Sequence, residues 1–369
     1  MTKPLPRLDV VQVDSEMGFS GGETQVFLLM EGLRERGHRV HLVCQPGSEA
    51  EQTAGDRGFS TVAVPMKSHV DLTTVHRLRK AYAALDADLV HTNTGRDAWL
   101  GGWAAHRGGL PSVTTRRMDR RVKRGFRTRL TYATFPNRTV AISPGVRTCL
   151  EEGGVPPERI VLIPEAADPA RVAAGRPASE VRAELRVGPD EVLLLGMGAL
   201  LPRKGFDTAL DAVAGLAPRL RDRVQVRNGG EGDSRAAWET RAHELGLAER
   251  VLFLGRRTDT GDLLHAADVV LMPSRAEGLG VAALEAMAAG LPVVASRVGG
   301  LAFSVVDEET GFHAEPEDAA GFTSAIGNLV EDEALRARLG AAARERATAR
   351  FSPGVMVDEY EALYADILA

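Results

Sequence analysis

Apolar strand runs and helical stretches alternate through the first half of this 369-residue chain, stop at a breaker-rich segment, and then start again. Leu8-Asp9-Val10-Val11-Gln12-Val13 reads as a buried strand, followed by the glycine loop Gly18-Phe19-Ser20-Gly21-Gly22-Glu23 and a helix over about 24–36. Gly37 ends that helix, Arg39-Val40-His41-Leu42-Val43-Cys44 is the next strand, and further strands are read at 60–64, 89–91, 112–115 and 140–142. Strands joined through helices pair in parallel, because only a crossover connection returns the chain to the same sheet edge. The second series opens at Glu191-Val192-Leu193-Leu194-Leu195-Gly196-Met197-Gly198 and continues at 224–226, 251–254, 269–272 and 293–295. Between the two lies a linker from Pro164 to Pro177, rich in proline and alanine. The pattern predicts an α/β chain of two doubly wound, Rossmann-like domains facing across a cleft. The first is 1–168 and the second is 178–351, and 352–369 reads as a terminal helix.

The strand Asp268-Val269-Val270-Leu271-Met272 runs into Pro273-Ser274-Arg275-Ala276-Glu277-Gly278-Leu279-Gly280-Val281-Ala282-Ala283-Leu284-Glu285. Glu277 and Glu285 stand eight residues apart around a glycine turn that opens a helix. The unpaired N–H groups at a helix start carry partial positive charge, and Gly278 and Gly280 allow an anion close to the backbone. A phosphate site between two separated carboxylates suits an elongated ligand with a diphosphate in its middle, a nucleotide sugar. The whole segment resembles the E-x7-E signature of the retaining glycosyltransferases of family four, which have the GT-B fold. The resemblance implies that Glu285 binds the nucleotide ribose, that Glu277 binds donor-sugar hydroxyls near the reacting carbon, that the Gly278-Leu279-Gly280 turn binds the donor, and that the terminal helix at about 352–369 crosses back to the first domain.

Other segments carry the same resemblance. Gly198-Ala199-Leu200-Leu201-Pro202-Arg203-Lys204-Gly205 is similar to the family's G-R-x-x-x-x-K-G element, which assigns Lys204 to the diphosphate. Ala199 stands where an arginine is frequent, and Arg203 is the nearby candidate to replace it. Gly230 and Gly232, in Gly229-Gly230-Glu231-Gly232, fall in the loop expected near the base, and Gly21-Gly22-Glu23 resembles the element that faces the donor diphosphate. On the acceptor side, His91-Thr92-Asn93-Thr94-Gly95-Arg96-Asp97 resembles a variant of the H-x-H segment, so His91, Asn93 and Asp97 are expected to line the cleft. Arg117 occupies the place of a histidine near the reaction centre, and Glu165 that of an asparagine in the hinge I-P-N-G-V-D.

Composition narrows the partners. A net charge of −5 has the wrong sign for a nucleic-acid binder. The two cysteines, Cys44 and Cys149, suggest neither a disulfide framework nor a metal cluster. No run approaches the length of a spanning helix, and residues 1–6 lack a leader's apolar core, so a cytoplasmic setting is expected. Asp86-Ala87-Asp88 mimics a metal-binding D-x-D but precedes its strand, and no metal or cofactor is expected. From Arg116 to Leu130 eight basic residues stand against one acid, and Met118, Val122, Phe126 and Leu130 recur every fourth residue. As a helix this run would be a basic amphipathic surface for anionic lipid headgroups on the inner membrane face or for a phosphorylated glycan. The expected activity is transfer of a hexose-like sugar, with retention, to a glycan or glycolipid hydroxyl of the lipopolysaccharide or surface-glycan group. A non-catalytic nucleotide-sugar or glycan binder, and a sugar-nucleotide epimerase or hydrolase, remain as alternatives; the absence of G-x-G-x-x-G places an NAD-dependent oxidoreductase behind both.

Overall fold

The computed structural model describes residues 6–66, 68 and 71–369. Residues 1–5, which carry most of the expectation about a leader, lie outside the described residues. The chain divides into two compact units: Met1–Ala166 with Pro353–Ala369, and Ala167–Ser352.

The first unit is built on seven strands, β1 (Asp9–Val13), β2 (Arg39–Cys44), β3 (Ser60–Ala63), β4 (Leu89–Thr92), β5 (Ser112–Arg116), β6 (Arg138–Ala141) and β7 (Ile160–Leu162). They pair in the order β3-β2-β1-β4-β5-β6-β7, every ladder parallel. Both faces are covered, so the strands are apolar on both sides. Val11, Val13 and Val90 face one cluster, and Val10, Leu89 and Val113 the other. On the second face the next outward positions are polar, Gln12, His91 and Thr115, and the helix Pro353–Leu368 supplies their partners. His91 exchanges hydrogen bonds with Tyr364 Oη at 2.8 Å and Thr115 Oγ1 at 2.7 Å, and Thr115 in turn with Tyr360 Oη at 2.9 Å. Burial drives the His91 pKa to about 3, so its imidazole is neutral. That helix lies against the helix Gly21–Glu35, where a Cβ on Gly32 would sit 2.3 Å from Val357 Cγ2.

Two sequence expectations change here. The first helix begins at Gly21, not near Thr24, because Ser20 and Glu23 form a capping box over its first turn. The basic run does not form a helix with an apolar stripe. Residues 117–125 are irregular, the helix Phe126–Arg129 is one turn, and it passes into a turn of π-helix, Leu130–Thr134. Val122 is buried against Gly153, whereas Met118 and Phe126 are exposed. A helix would stack like charges at i and i+4, Arg116 on Arg120 and Arg120 on Arg124, each pair repelling. The chain instead spends Arg116 on Tyr132 Oη at 3.1 Å and the Arg120 carbonyl at 2.8 Å.

The second unit has six parallel strands, β8 (Val192–Met197), β9 (Val224–Gly229), β10 (Val251–Gly255), β11 (Val269–Met272), β12 (Val293–Ser296) and β13 (Gly311–Ala314). Their order is β10-β9-β8-β11-β12-β13. The order reverses between β8 and β11, and in open α/β sheets ligands bind at the carboxyl ends of the strands beside such a reversal. The segment read as a linker is ordered. Glu165 and Ala166 close the first unit, Ala166 exchanging two hydrogen bonds with the Gln25 side chain, and residues 167–177 belong to the second. No described helix is long and apolar enough to cross a membrane.

Replacing Gly32 by alanine should force the Pro353–Leu368 helix off the Gly21–Glu35 helix at a cost of about 1–3 kcal/mol. Hydrogen exchange of residues 353–368 measures it; unchanged protection there would show that the helix is held elsewhere.

Candidate active site

A loop follows the carboxyl end of each strand of the second unit, and the loops after β8 and β11 are joined backbone to backbone. A Cβ at Gly205 would lie 2.1 Å from the Pro273 carbonyl oxygen, and Gly205 holds φ at +60°, so only glycine serves there. Arg275 N donates to the Arg203 carbonyl at 2.7 Å, and the Arg275 guanidinium reaches the Pro202 carbonyl at 2.6 Å and Asp207 at 2.8 Å. This join brings Lys204 Nζ to 2.5 Å from Glu277 Oε2, with Ser274 Oγ 3.3 Å from the same oxygen. Arg203 Nη1 is 3.9 Å from Glu277 Oε1 and half exposed, so its charge can follow a ligand. Behind Lys204 a small recess is lined by Gly198, Asn228 and Ser274, and the Asn228 Oδ1 there is buried without a hydrogen-bond partner among the described residues. A buried acceptor left unpaired is costly, and a donor entering the recess would satisfy it.

The helix Val281–Ala289 starts beside this pair. Its N-cap is Gly280, at φ +86°, and no side chain among the described residues caps it, which leaves the Val281 and Ala282 amides available to an anion. The Leu279 side chain is buried, so its backbone is what the turn offers a ligand. Glu285 lies inside the helix, 2% exposed, and is ion-paired with Arg171. Burial raises its pKa, Arg171 opposes the shift, and Asp168 adds to it. Gly230 and Gly232 are explained by packing: Cβ atoms there would meet the carbonyl oxygens of Gly198 at 1.9 Å and Leu200 at 2.4 Å. They hold the loop after β9 against the loop after β8.

In the first unit the polar groups gather at the carboxyl ends of β1, β4 and β5. Arg117 Nε donates to Glu165 Oε1 at 2.6 Å, and its Nη1 to Asn93 O at 2.9 Å and Asn93 Oδ1 at 3.1 Å. The two departures from the family pattern thus form one ion pair, and losing either partner would leave the other charge buried, at a cost of about 3–5 kcal/mol. The Arg117 Cδ lies 3.6 Å from where a Gly22 Cβ would be, so it underlies the first turn of the Gly21–Glu35 helix. That turn is self-capped: Gly22 N donates to Ser20 Oγ at 3.3 Å, and the Ser20 amide to Glu23 at 2.6 Å.

The expectation that His91, Asn93 and Asp97 present their side chains to a cleft is corrected. All three are buried, at 0%, 4% and 0% exposure. His91 belongs to the tyrosine network, Asn93 positions Arg117, and Asp97 caps the helix Gly95–Gly108 by accepting from Asn93 N and Thr94 N. Asp88 accepts from the Asp9 amide and Asp86 occupies a left-handed turn, φ +48°. Among the described residues no group of three or more His, Cys, Asp or Glu is arranged to hold a metal. Asp14, Arg171, Ser274 and Asn228 escaped the sequence reading. Asp14 and Ser274 had a signal there, each standing just after a strand.

Residues 178–346 match the family described as Glycosyl transferases group 1, and residues 19–171 match Glycosyltransferase Family 4. The chain is 33% identical over 240 residues to the lipopolysaccharide core biosynthesis glycosyltransferase LpsE of Rhizobium meliloti, covering 65% of this chain and 67% of LpsE. It is 37% identical over 224 residues to the D-inositol 3-phosphate glycosyltransferase of Stackebrandtia nassauensis, covering 58% of this chain but only half (50%) of that relative. Anabaena HepE in complex with UDP and glucose has the same fold, with a TM-score of 0.84 and 21% identity, covering 98% of this chain and 100% of HepE. The chain belongs to the family 4 glycosyltransferases, with the GT-B fold of two Rossmann-like α/β domains.

Burial raises the Asp14 pKa to about 6, the Glu16 amide opposing, Glu23 adding and Arg117 opposing. A carboxyl raised above its ordinary 3.8 favours folding while protonated and loses that contribution as pH climbs from about 4 to about 6. Asp14→Asn should therefore stabilise the protein on the order of 2 kcal/mol at about pH 8 and leave it unchanged below about pH 4. Denaturant unfolding at the two pH values measures it, and equal effects at both would contradict the assignment.

Proposed function

We propose that this glycosyltransferase moves a hexose-like sugar from a nucleoside diphosphate to a hydroxyl of an anionic glycan or glycolipid, with retention at the anomeric carbon. The observation that carries the reading is the Lys204–Glu277 pair set against the uncapped first turn of the Val281–Ala289 helix, with Glu285 buried behind it. Cation and amides suit a diphosphate, and the two carboxylates suit the hydroxyls on either side of it. That HepE was crystallised with UDP and glucose supports the same donor chemistry for a chain of this fold.

The steps follow from the groups present. The bond between the anomeric carbon and the diphosphate oxygen breaks, and Lys204, Arg203 and the amides of the Gly278–Gly280 turn take up the negative charge that develops. Glu277 accepts from sugar hydroxyls and holds the ring while it carries oxocarbenium character. The acceptor oxygen bonds to the same face of that carbon, and its proton passes to the leaving phosphate. These cations supply charge that a divalent ion provides in other transferases, so we read the reaction as metal-independent, with the nucleotide sugar as substrate and no cofactor. For the acceptor we assign the carboxyl edge of the first unit's sheet, where Arg117 is fixed by Asn93 and Glu165. The exposed Arg120, Arg121, Lys123 and Arg124 nearby suit a phosphorylated glycan or the anionic headgroups of a membrane surface. The likeness to LpsE supports an acceptor of the lipopolysaccharide or surface-glycan class, reached on the cytoplasmic face of the membrane.

Glu277→Ala should lower nucleoside diphosphate release from the donor by about a hundredfold or more, with nucleotide affinity held within about threefold. Steady-state release and calorimetric titration measure the two quantities; an equal loss of both would remove Glu277 from the reacting centre.

A further inference from the structure

Residues 167–177 form a strap that is fastened to the second unit at several points. The turn Pro169–Val172 is N-capped by Asp168, whose Oδ1 accepts from Ala170 N at 2.9 Å. The Ala173 carbonyl oxygen lies 1.9 Å from the position of a Cβ on Gly261, so the helix Thr260–Ala266 admits the strap because residue 261 is glycine. Beyond it the Asp262 carboxylate accepts from Gly175 N at 2.6 Å, Arg176 N at 3.0 Å and Arg176 Nε at 2.9 Å. A segment held this firmly aims its side chains, and the one it aims at the candidate site is Arg171. Its Nε donates to Glu285 Oε1 at 2.6 Å and its Nη2 reaches Glu285 Oε2 at 3.4 Å.

The pair is lopsided. Glu285 is 2% exposed, and its helix neighbours Ala283, Ala286 and Met287 are buried, whereas Arg171 is 44% exposed. Without its partner this carboxyl would be buried at lower cost as the neutral acid, and a neutral acid is a poorer acceptor for hydroxyls. An ionised carboxylate offers about four lone-pair directions. The guanidinium contacts both oxygens and leaves acceptor capacity on each. Two oxygens with one direction free apiece match two hydroxyls on adjacent carbons.

We propose that Arg171 is a positioning residue for the donor, holding the Glu285 carboxylate charged and oriented so that its two oxygens accept from the vicinal hydroxyls of the nucleotide's ribose. The inference rests on the reading of Glu285 as the ribose-binding carboxylate. It extends the donor site to a strap that sequence patterning treats as a connector.

The test is calorimetric titration of wild type, Arg171→Met, Arg171→Lys and Glu285→Gln with UDP, GDP and their 2′,3′-dideoxy counterparts, each variant first checked for an unchanged Tm. Wild type should prefer the ribonucleotide by about tenfold or more, tenfold being about the worth of one hydrogen bond to a charged acceptor. Arg171→Met should bring the preference close to parity while leaving dideoxynucleotide affinity unchanged, and Arg171→Lys should recover part of it, supplying the charge without the fork. If Arg171→Met keeps the wild-type preference while Glu285→Gln loses it, the ribose reading stands and the role of Arg171 is overturned. Tighter ribonucleotide binding by Arg171→Met would make the arginine a competitor of the ribose, which also overturns the proposal. Equal preference in wild type and Glu285→Gln, or no binding of either nucleotide by wild type, would remove the reading of Glu285 and this inference with it.

Discussion

The join between the loops after β8 and β11 is the contact on which the second unit's site depends. It is a contact of backbone on backbone, Gly205 against the Pro273 carbonyl, and any side chain at residue 205 would push the loops apart. Once they are joined, Arg275 fastens them through the Pro202 carbonyl and Asp207, and Lys204 and Glu277 arrive at the same point from strands that are neighbours in the sheet. The loop after β12 packs in the same manner, since a Cβ on Gly300 would lie 2.2 Å from Leu279 Cα. Glycines here set the spacing of three loops, and the charged residues follow from that spacing. The uncapped helix start at Gly280 is then fixed in relation to both charges.

The first unit solves a different problem, how to place a fixed cation at the end of a sheet whose face has turned polar. Gln12, His91 and Thr115 interrupt an otherwise apolar face; Tyr364 and Tyr360 of the last helix bond His91 and Thr115, and Gln12 meets His91 and Asn93. This draws the last helix of the chain onto the sheet that the first strand begins. Above the network, Asn93 and Glu165 clamp Arg117, so the arginine that stands in a histidine's place is matched by the glutamate that stands in an asparagine's. Two departures that each look damaging alone are electrostatically one change.

Much of this was legible in sequence, and the gaps have physical causes. Strand positions were readable because buried parallel strands are continuous apolar runs; β7 has only three residues, and β13, Gly-Phe-His-Ala, is broken by a glycine and a histidine. The E-x7-E segment and Lys204 stood out because each begins directly after a strand and resembles a family element, and the structure brings Lys204 and Glu277 together. The acceptor-side residues misled. His91, Asn93 and Asp97 look like site residues by position, but His91 turns into the sheet face, Asp97 caps the next helix, and Asn93 is buried with its amide oxygen on Arg117. The four-residue period between Met118 and Leu130 was real in the sequence and absent in space: residues 117–125 are irregular, Val122 is buried, and Met118 and Phe126 are exposed. Arg171 had no local signal at all: its partner lies 114 residues away, and its segment reads as proline-rich connector.

The account stands on the second unit being a nucleotide-sugar site organised by Glu285 and the glycine turn before it. A thermal-shift series of the purified protein against UDP-, GDP- and ADP-sugars, repeated with Glu285→Ala, tests this most directly, since a ligand that binds only the native state raises its apparent stability. A rise in Tm selective for one nucleotide sugar, lost in the variant, is the predicted result. No shift with any of them, or an equal shift in the variant, would contradict it.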